Sequence, residues 1–195
     1  MNRTVFSLPG HGEHRTHGGL AVSRAVEHFT GHADRLDALI DLLDRRRGVV
    51  LSSGTTVPGR YESFDLGFSD PPLRLETVGS NFSLQALNAR GEVLIAFLGD
   101  TLREPCVVID ERSATDLAGH ILRGDAPVDE EQRTRRASVM SLVRDLVRVF
   151  GGLDDGLLGL FGAFAYDLVF QIEDLKQKRV RESDQRDIVL YLPDR

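Results

Sequence analysis

Nucleophilic catalysis needs a Ser, Cys or Lys beside a base that a third group holds in place. This chain carries the residue types without the pattern. Ser52 and Ser53 stand at the start of a polar loop, Ser52-Ser-Gly-Thr-Thr56, with none of the context of a strained nucleophile elbow. His28, His32 and His120 are dispersed, so their spacing specifies no partnership. The single cysteine, Cys106, lies in the apolar run Pro105-Cys-Val-Val-Ile109 with no activating neighbour, and reads as a buried strand residue rather than a reactive thiol. His11, His14 and His17 recur every third residue, but without the cysteine or acidic cluster that would complete a zinc site they support only adventitious binding. Asp154-Asp155 falls in an expected turn, where a solvated loop outweighs a magnesium pair. Walker-type and dinucleotide-type glycine signatures are both absent. Taken alone, these residues describe no active site.

Two cationic features remain. Arg60, in Pro58-Gly-Arg-Tyr61, could orient a carboxylate, either of a ligand or of the nearby Asp65. The two readings have equal standing. Tyr61 reads as a core residue with its hydroxyl at the surface, and Gly59 as a turn glycine. Arg45-Arg46-Arg47 is expected in the last turn of a helix, where cations complement the dipole, so a solvated helix end outweighs a phosphate site.

The chain has 195 residues, 41% hydrophobic and 28% charged, which allows one full domain with a core and is short for two. A net charge of -6 argues against a nucleic-acid surface, which needs clustered Lys and Arg. One cysteine makes no internal disulfide and suggests a reducing compartment. With no apolar run long enough to span a membrane and no signal-peptide core, the expected location is cytoplasmic.

The elements that must position any site follow from periodicity. Residues 1–17, rich in Gly, His and polar groups, read as a flexible tail, and 18–195 as one domain. Leu20–Val26 is an expected strand. Leu36, Leu39, Ile40 and Leu43 fall on one helix face, with Thr30 or Asp34 as cap. Val49–Leu51, Tyr61–Phe68, Leu73–Val78 and Cys106–Ile109 are expected strands. Phe82–Leu87 and Val93–Phe97 read as a hairpin turning at Gly91, and a charged strand or loop follows as far as Leu122. A second helix runs from about Thr134 to Phe150, with Val139, Leu142, Val143, Leu146, Val147 and Phe150 as its apolar stripe. Strand Leu157–Ala163, a short helix near Tyr166–Gln171 with an Asp167–Gln171 pair, and strand Ile188–Leu192 close the chain. Many antiparallel strands with few helices make the class α+β.

Several strings carry a resemblance. Gly159-Leu-Phe-Gly-Ala-Phe-Ala-Tyr-Asp-Leu-Val-Phe170, Pro58-Gly-Arg-Tyr61, Asp65-Leu-Gly-Phe68, Asp70-Pro-Pro-Leu73 and Asp184-Gln-Arg-Asp-Ile-Val-Leu-Tyr-Leu-Pro-Asp194 together resemble the amino-terminal part of anthranilate synthase component I. The similarity is closest to the long, fused bacterial form and to phenazine-type relatives, and covers the chain from about Gly18. It implies a largely antiparallel two-sheet β sandwich with flanking helices. It also implies a parent enzyme of tryptophan biosynthesis that converts chorismate to anthranilate and pyruvate, with ammonia from a glutamine amidotransferase and with Mg²⁺. In that family the chorismate and magnesium ligands lie mainly in the carboxyl-terminal half. The resemblance therefore implies no catalytic residue, cofactor or metal in this chain, no synthase activity alone, and partnership with a chorismate-binding domain and an amidotransferase domain or subunit.

The same resemblance implies part of a tryptophan feedback pocket. The family's Leu-Leu-Glu-Ser motif matches Val50-Leu51-Ser52-Ser53, with Ser53 in the serine position and Ser52 where glutamate is expected. A neutral hydroxyl in place of a carboxylate would weaken the bond to the effector's ammonium by about 1–2 kcal/mol. Arg60 and Tyr61 complete the candidate effector contacts. Two alternatives stay open. One is the amino-terminal region of an aminodeoxyisochorismate synthase of phenazine-type metabolism. The other is a stand-alone, non-catalytic module that pairs or self-associates through exposed strand edges.

Overall fold

Alternation along the chain builds the centre of the molecule. In the strand Leu73–Val78, side chains 73, 75 and 77 turn to one face and are almost wholly buried, while Arg74 and Glu76 turn to the other. The next strand, Asn81–Ala86, does the same with Phe82 and Leu84, as period-two geometry requires. The computed structural model describes residues 12–27, 32–52, 65–123, 136–152, 159–173, 175–182 and 184–194. Its strands are β1 (Gly12–Arg15), β2 (Ala21–Arg24), β3 (Gly48–Ser52), β4 (Asp65–Ser69), β5 (Leu73–Val78), β6 (Asn81–Ala86), β7 (Val107–Arg112), β8 (Asp116–Ile121), β9 (Phe161–Phe164) and β10 (Ile188–Leu192). The helices are α1 (His32–Leu43), α2 (Ala89–Thr101), α3 (Val139–Phe150) and α4 (Val169–Ile172), the last preceded by a 3₁₀ turn over Tyr166–Leu168.

Six strands form one sheet in the order β7-β8-β6-β5-β10-β9, and each neighbouring pair is antiparallel. β10 inserts between β5 and β9, with Leu190 opposite both Leu75 and Gly162. A Cβ on Gly162 would strike the Val189 carbonyl, so the small-residue stretch here serves close packing. Two antiparallel ribbons, β1-β2 and β3-β4, complete the sheet structure of the described residues. The class is α+β with antiparallel pairing, as the sequence implies.

One face of the six-stranded sheet is covered by α2 and α3. Leu73, Leu75, Leu84, Leu117, Ile188 and Leu190 join Ile95 and Leu98 of α2 and Val139, Leu142, Leu146 and Val149 of α3 in a single core cluster. On the other side, Phe68 of the β3-β4 ribbon meets Phe161 and Tyr191, with ring centroids 6.0 and 6.3 Å apart, which gives the sheet a partial second layer.

Four expectations need correction. Val93–Phe97 is not a strand but the middle of α2. Asn88 caps that helix, its side chain accepting from the N–H groups of Arg90 and Gly91, and Gly91, Ile95 and Leu98 are buried at helical spacing. Gly91 is therefore a contact glycine, not a turn glycine; a Cβ there would collide with the Pro72 carbonyl and crowd Ala86. Of the expected tail, residues 1–11 lie outside the described residues, and Gly12–Arg15 pairs with β2. The turn after β1 docks on the end of α3 through His17 N–H to Gly151 O at 2.6 Å and Gly18 N–H to Val149 O at 2.9 Å. In α3 the stripe passes through Val149, while Val147 is 56% exposed. Finally, Arg45–Arg47 follow α1 rather than end it. The helix stops at Leu43, and the Arg45 and Arg46 N–H groups close the turn on Leu42 O.

Candidate functional site

A cavity of about 570 Å³ lies between the β1-β2 ribbon, β4, the start of α2 and the end of β10. This is within the size range of small-molecule pockets. Its apolar wall includes Phe68, Phe150, Phe161 and Leu192, and its polar lining includes Arg24, Glu27, Arg90 and Asp194. Arg90 and Asp194 form an ion pair, which ties the start of α2 to the chain end beyond β10.

Ser52 ends β3, opposite Asp65 of β4, and is exposed. It does not line the cavity. Its ribbon does: Leu66, Gly67 and Phe68 form part of the wall and pair with Leu51, Val50 and Val49. The strand with the candidate effector motif is thus one hydrogen-bonded step from the cavity. Ser53, Arg60 and Tyr61 lie outside the described residues, as do His28 and Asp154-Asp155.

The other candidate chemistry does not assemble. Cys106 is half-buried against the core, its Sγ 4.0 Å from Glu104 Oε1. His120 Nδ1 stands 2.7 Å from Asp110 Oδ2, across the β7-β8 pair. Among the described residues no Ser, Cys or Lys is hydrogen-bonded to a histidine. No group of three or more His, Cys, Asp and Glu could hold a metal there either. The described residues thus provide no fit for magnesium.

Sequence reasoning missed the most elaborate polar arrangement. The expected Asp167–Gln171 pair does not form, because the buried Gln171 side chain turns inward. Its Nε2 donates to Gly79 O at 2.7 Å and to Asp187 Oδ2 at 3.2 Å, and its Oε1 accepts from Val139 N–H at 3.3 Å. Asp187 has no exposed surface. It accepts from Gly79 N–H at 2.7 Å and from Arg181 Nη2 at 2.6 Å. Asp167 instead accepts from Gln185 Nε2 at 2.7 Å. One node thereby binds the β5-β6 turn, the start of α3, α4 and the approach to β10. Asp145 on α3 does similar work, accepting from the Arg103 and Glu104 N–H groups at 2.9 and 3.2 Å and from Arg148. The available sequence signal was a charged residue, Asp187, placed directly before a clean alternating strand.

The architecture is that of an α+β domain with a ligand-sized cavity beside a strand ribbon, and without a built catalytic centre among the described residues. The chain matches an amino-terminal region of anthranilate synthase component I. It is 44% identical over 183 residues to the anthranilate synthase of Azospirillum brasilense, a match covering 93% of this chain and 25% of that protein. It is 28% identical over 149 residues to anthranilate synthase component 1 of Escherichia coli strain K12, covering 75% of this chain and 28% of that protein. The chain thus spans about a quarter of the length of these curated relatives. No protein-family model matches it. Among the described residues, no helix is long and apolar enough to cross a membrane.

Proposed function

We propose that this chain serves as the amino-terminal, effector-sensing and scaffold region of a cytoplasmic anthranilate synthase. The whole enzyme would convert chorismate and ammonia, or glutamine, to anthranilate and pyruvate in tryptophan biosynthesis. Identity of 44% extending over 93% of the chain carries this reading; agreement over nearly every element favours a shared role over a shared motif. In this reading the chemistry belongs to a chorismate-binding domain and an amidotransferase, with magnesium held by that other part.

The contribution of this region is regulatory and architectural. Ser52, which ends β3, is a candidate tryptophan contact together with Ser53, Arg60 and Tyr61, and the cavity beside its ribbon offers a neighbouring apolar wall. With Ser52 in the glutamate position, the ammonium of an amino-acid effector finds a neutral hydroxyl there, a weaker partner than a carboxylate. The test is direct. The purified chain, given chorismate, ammonium and Mg²⁺, is expected to form no fluorescent anthranilate, and calorimetry with tryptophan to show weak heat or none. Turnover by the chain unaided would overturn the assignment of the chemistry elsewhere, and micromolar tryptophan binding would overturn the shared pocket.

A further inference from the structure

A second cavity, of about 540 Å³, adjoins the first at Arg90, which lines both. Its walls are the turn between α1 and β3, which supplies Arg45, Arg46 and Arg47, and the segment leading into α2, which supplies Arg90. Four arginines converge on one cleft in a chain whose net charge is -6. The carboxylate in the lining is that of Asp70, while Asp194 reaches Arg90 from the side. Asp44, though next to the run in sequence, does not line it.

The cleft is built, not a chance gathering of long side chains. Asp70 adopts a left-handed backbone (φ 52°). Its N–H donates to Arg47 O at 2.8 Å, its carboxylate accepts from Arg46 Nη1 at 2.6 Å, and its carbonyl accepts from Asn88 Nδ2 at 3.4 Å. Pro71 and Pro72 follow, and Pro72 O accepts from Leu87 N–H at 2.8 Å. One rigid corner thus fixes the arginine turn relative to the start of α2. The helix terminus itself adds nothing, because Asn88 already occupies the Arg90 and Gly91 N–H groups. Arg46 and Arg90 have carboxylate partners. Among the described residues, the Arg45 and Arg47 side chains have none, and both are exposed.

We propose that this cleft binds a small phosphate-bearing anion, with Arg45 and Arg47 as the primary ligands and Arg46 released toward it from Asp70. Each guanidinium offers a planar fork of donors suited to two oxygens. A monocarboxylate satisfies one fork and leaves the second wanting. A phosphate monoester or diphosphate presents enough oxygens and charge for both, and the cavity volume leaves room for an organic group. None of these arginines is among the candidate effector contacts Ser52, Ser53, Arg60 and Tyr61.

Calorimetry of the full chain with pyrophosphate tests it, with malonate as a dicarboxylate comparison. Saturable pyrophosphate binding is expected, several-fold tighter than that of malonate. Arg45→Gln with Arg47→Gln should weaken it about tenfold or more, the scale of losing charge-assisted contacts. Asp70→Asn, which keeps a residue tolerant of left-handed backbone while removing the competing charge, should tighten it. Arg103→Gln, an exposed arginine outside the cleft, should change nothing. A thermal midpoint taken without ligand checks that each variant folds. Absence of saturable binding, an unaffected double variant, an equal loss in Arg103→Gln, or malonate binding as tightly as pyrophosphate would each overturn the proposal.

Discussion

A carboxylate with no exposed surface persists only where its charge is met inside the fold, and at Asp187 it is met three times, by Arg181, Gln171 and the Gly79 N–H. Removing one partner of a buried pair is costly because the other is left uncompensated. Asp187→Ala is accordingly expected to lose about 3–5 kcal/mol in urea unfolding, and Gln171→Ala about 1–3 kcal/mol through orphaned backbone partners. Because the two side chains share Gly79 and each other, the double variant should lose less than the separate losses added together. Strict additivity would show that the node is not one unit. Little of this could be read beforehand. Asp167 and Gln171 stand one helical turn apart, so local spacing suggested a pair. The actual partners of Gln171 lie 92 residues away at Gly79 and 16 away at Asp187, separations that no local pattern encodes.

At the scale of elements, legibility tracked periodicity. β5 and β10 alternate cleanly and are legible as strands, because a half-buried strand writes its burial into every second residue. Helix α3 is legible for the analogous reason, although periodicity sets Val147 in its stripe where the structure buries Val149. Helix α2 is the exception. Val93-Leu-Ile-Ala-Phe97 is a continuous apolar run, and such a run does not distinguish a buried strand from a buried helix. The deciding signals were Asn88 as a cap and the wider spacing of Gly91, Ile95 and Leu98. This assignment has a sharp consequence. Were Gly91 a solvent-facing turn residue with ordinary backbone, Gly91→Ala would be nearly neutral. In α2, packed against Pro72 and Ala86, the added methyl must push the helix off the sheet, and overpacking of this kind costs about 1–3 kcal/mol. Chemical denaturation of that variant distinguishes the two, and a neutral or stabilising result would count against the packing described.

For the whole molecule, the class and the family resemblance were visible in the sequence, whereas the cavities were not. The larger cavity draws on residues as far apart as Thr16 and Asp194, and the arginine cleft joins turns some forty residues apart in the chain. Such sites exist only after the sheet has closed. Of the expected effector contacts, Ser52 alone falls among the described residues, at a strand end beside the larger cavity rather than in its wall. The node at Asp187, the clasp at Asp145 and the Asp70 corner share one trait, in that each fixes a connection between elements.

As the proposed amino-terminal region of an anthranilate synthase, this chain should be able to replace the corresponding region of a relative. The most direct measurement replaces the matching quarter of the Azospirillum brasilense enzyme with this chain and follows anthranilate fluorescence from chorismate and ammonium. A chimera that folds and forms anthranilate at a rate within about tenfold of the parent, a barrier change of roughly 1.4 kcal/mol, is the result expected. A chimera that folds, binds its remaining partners and forms no anthranilate would contradict the account.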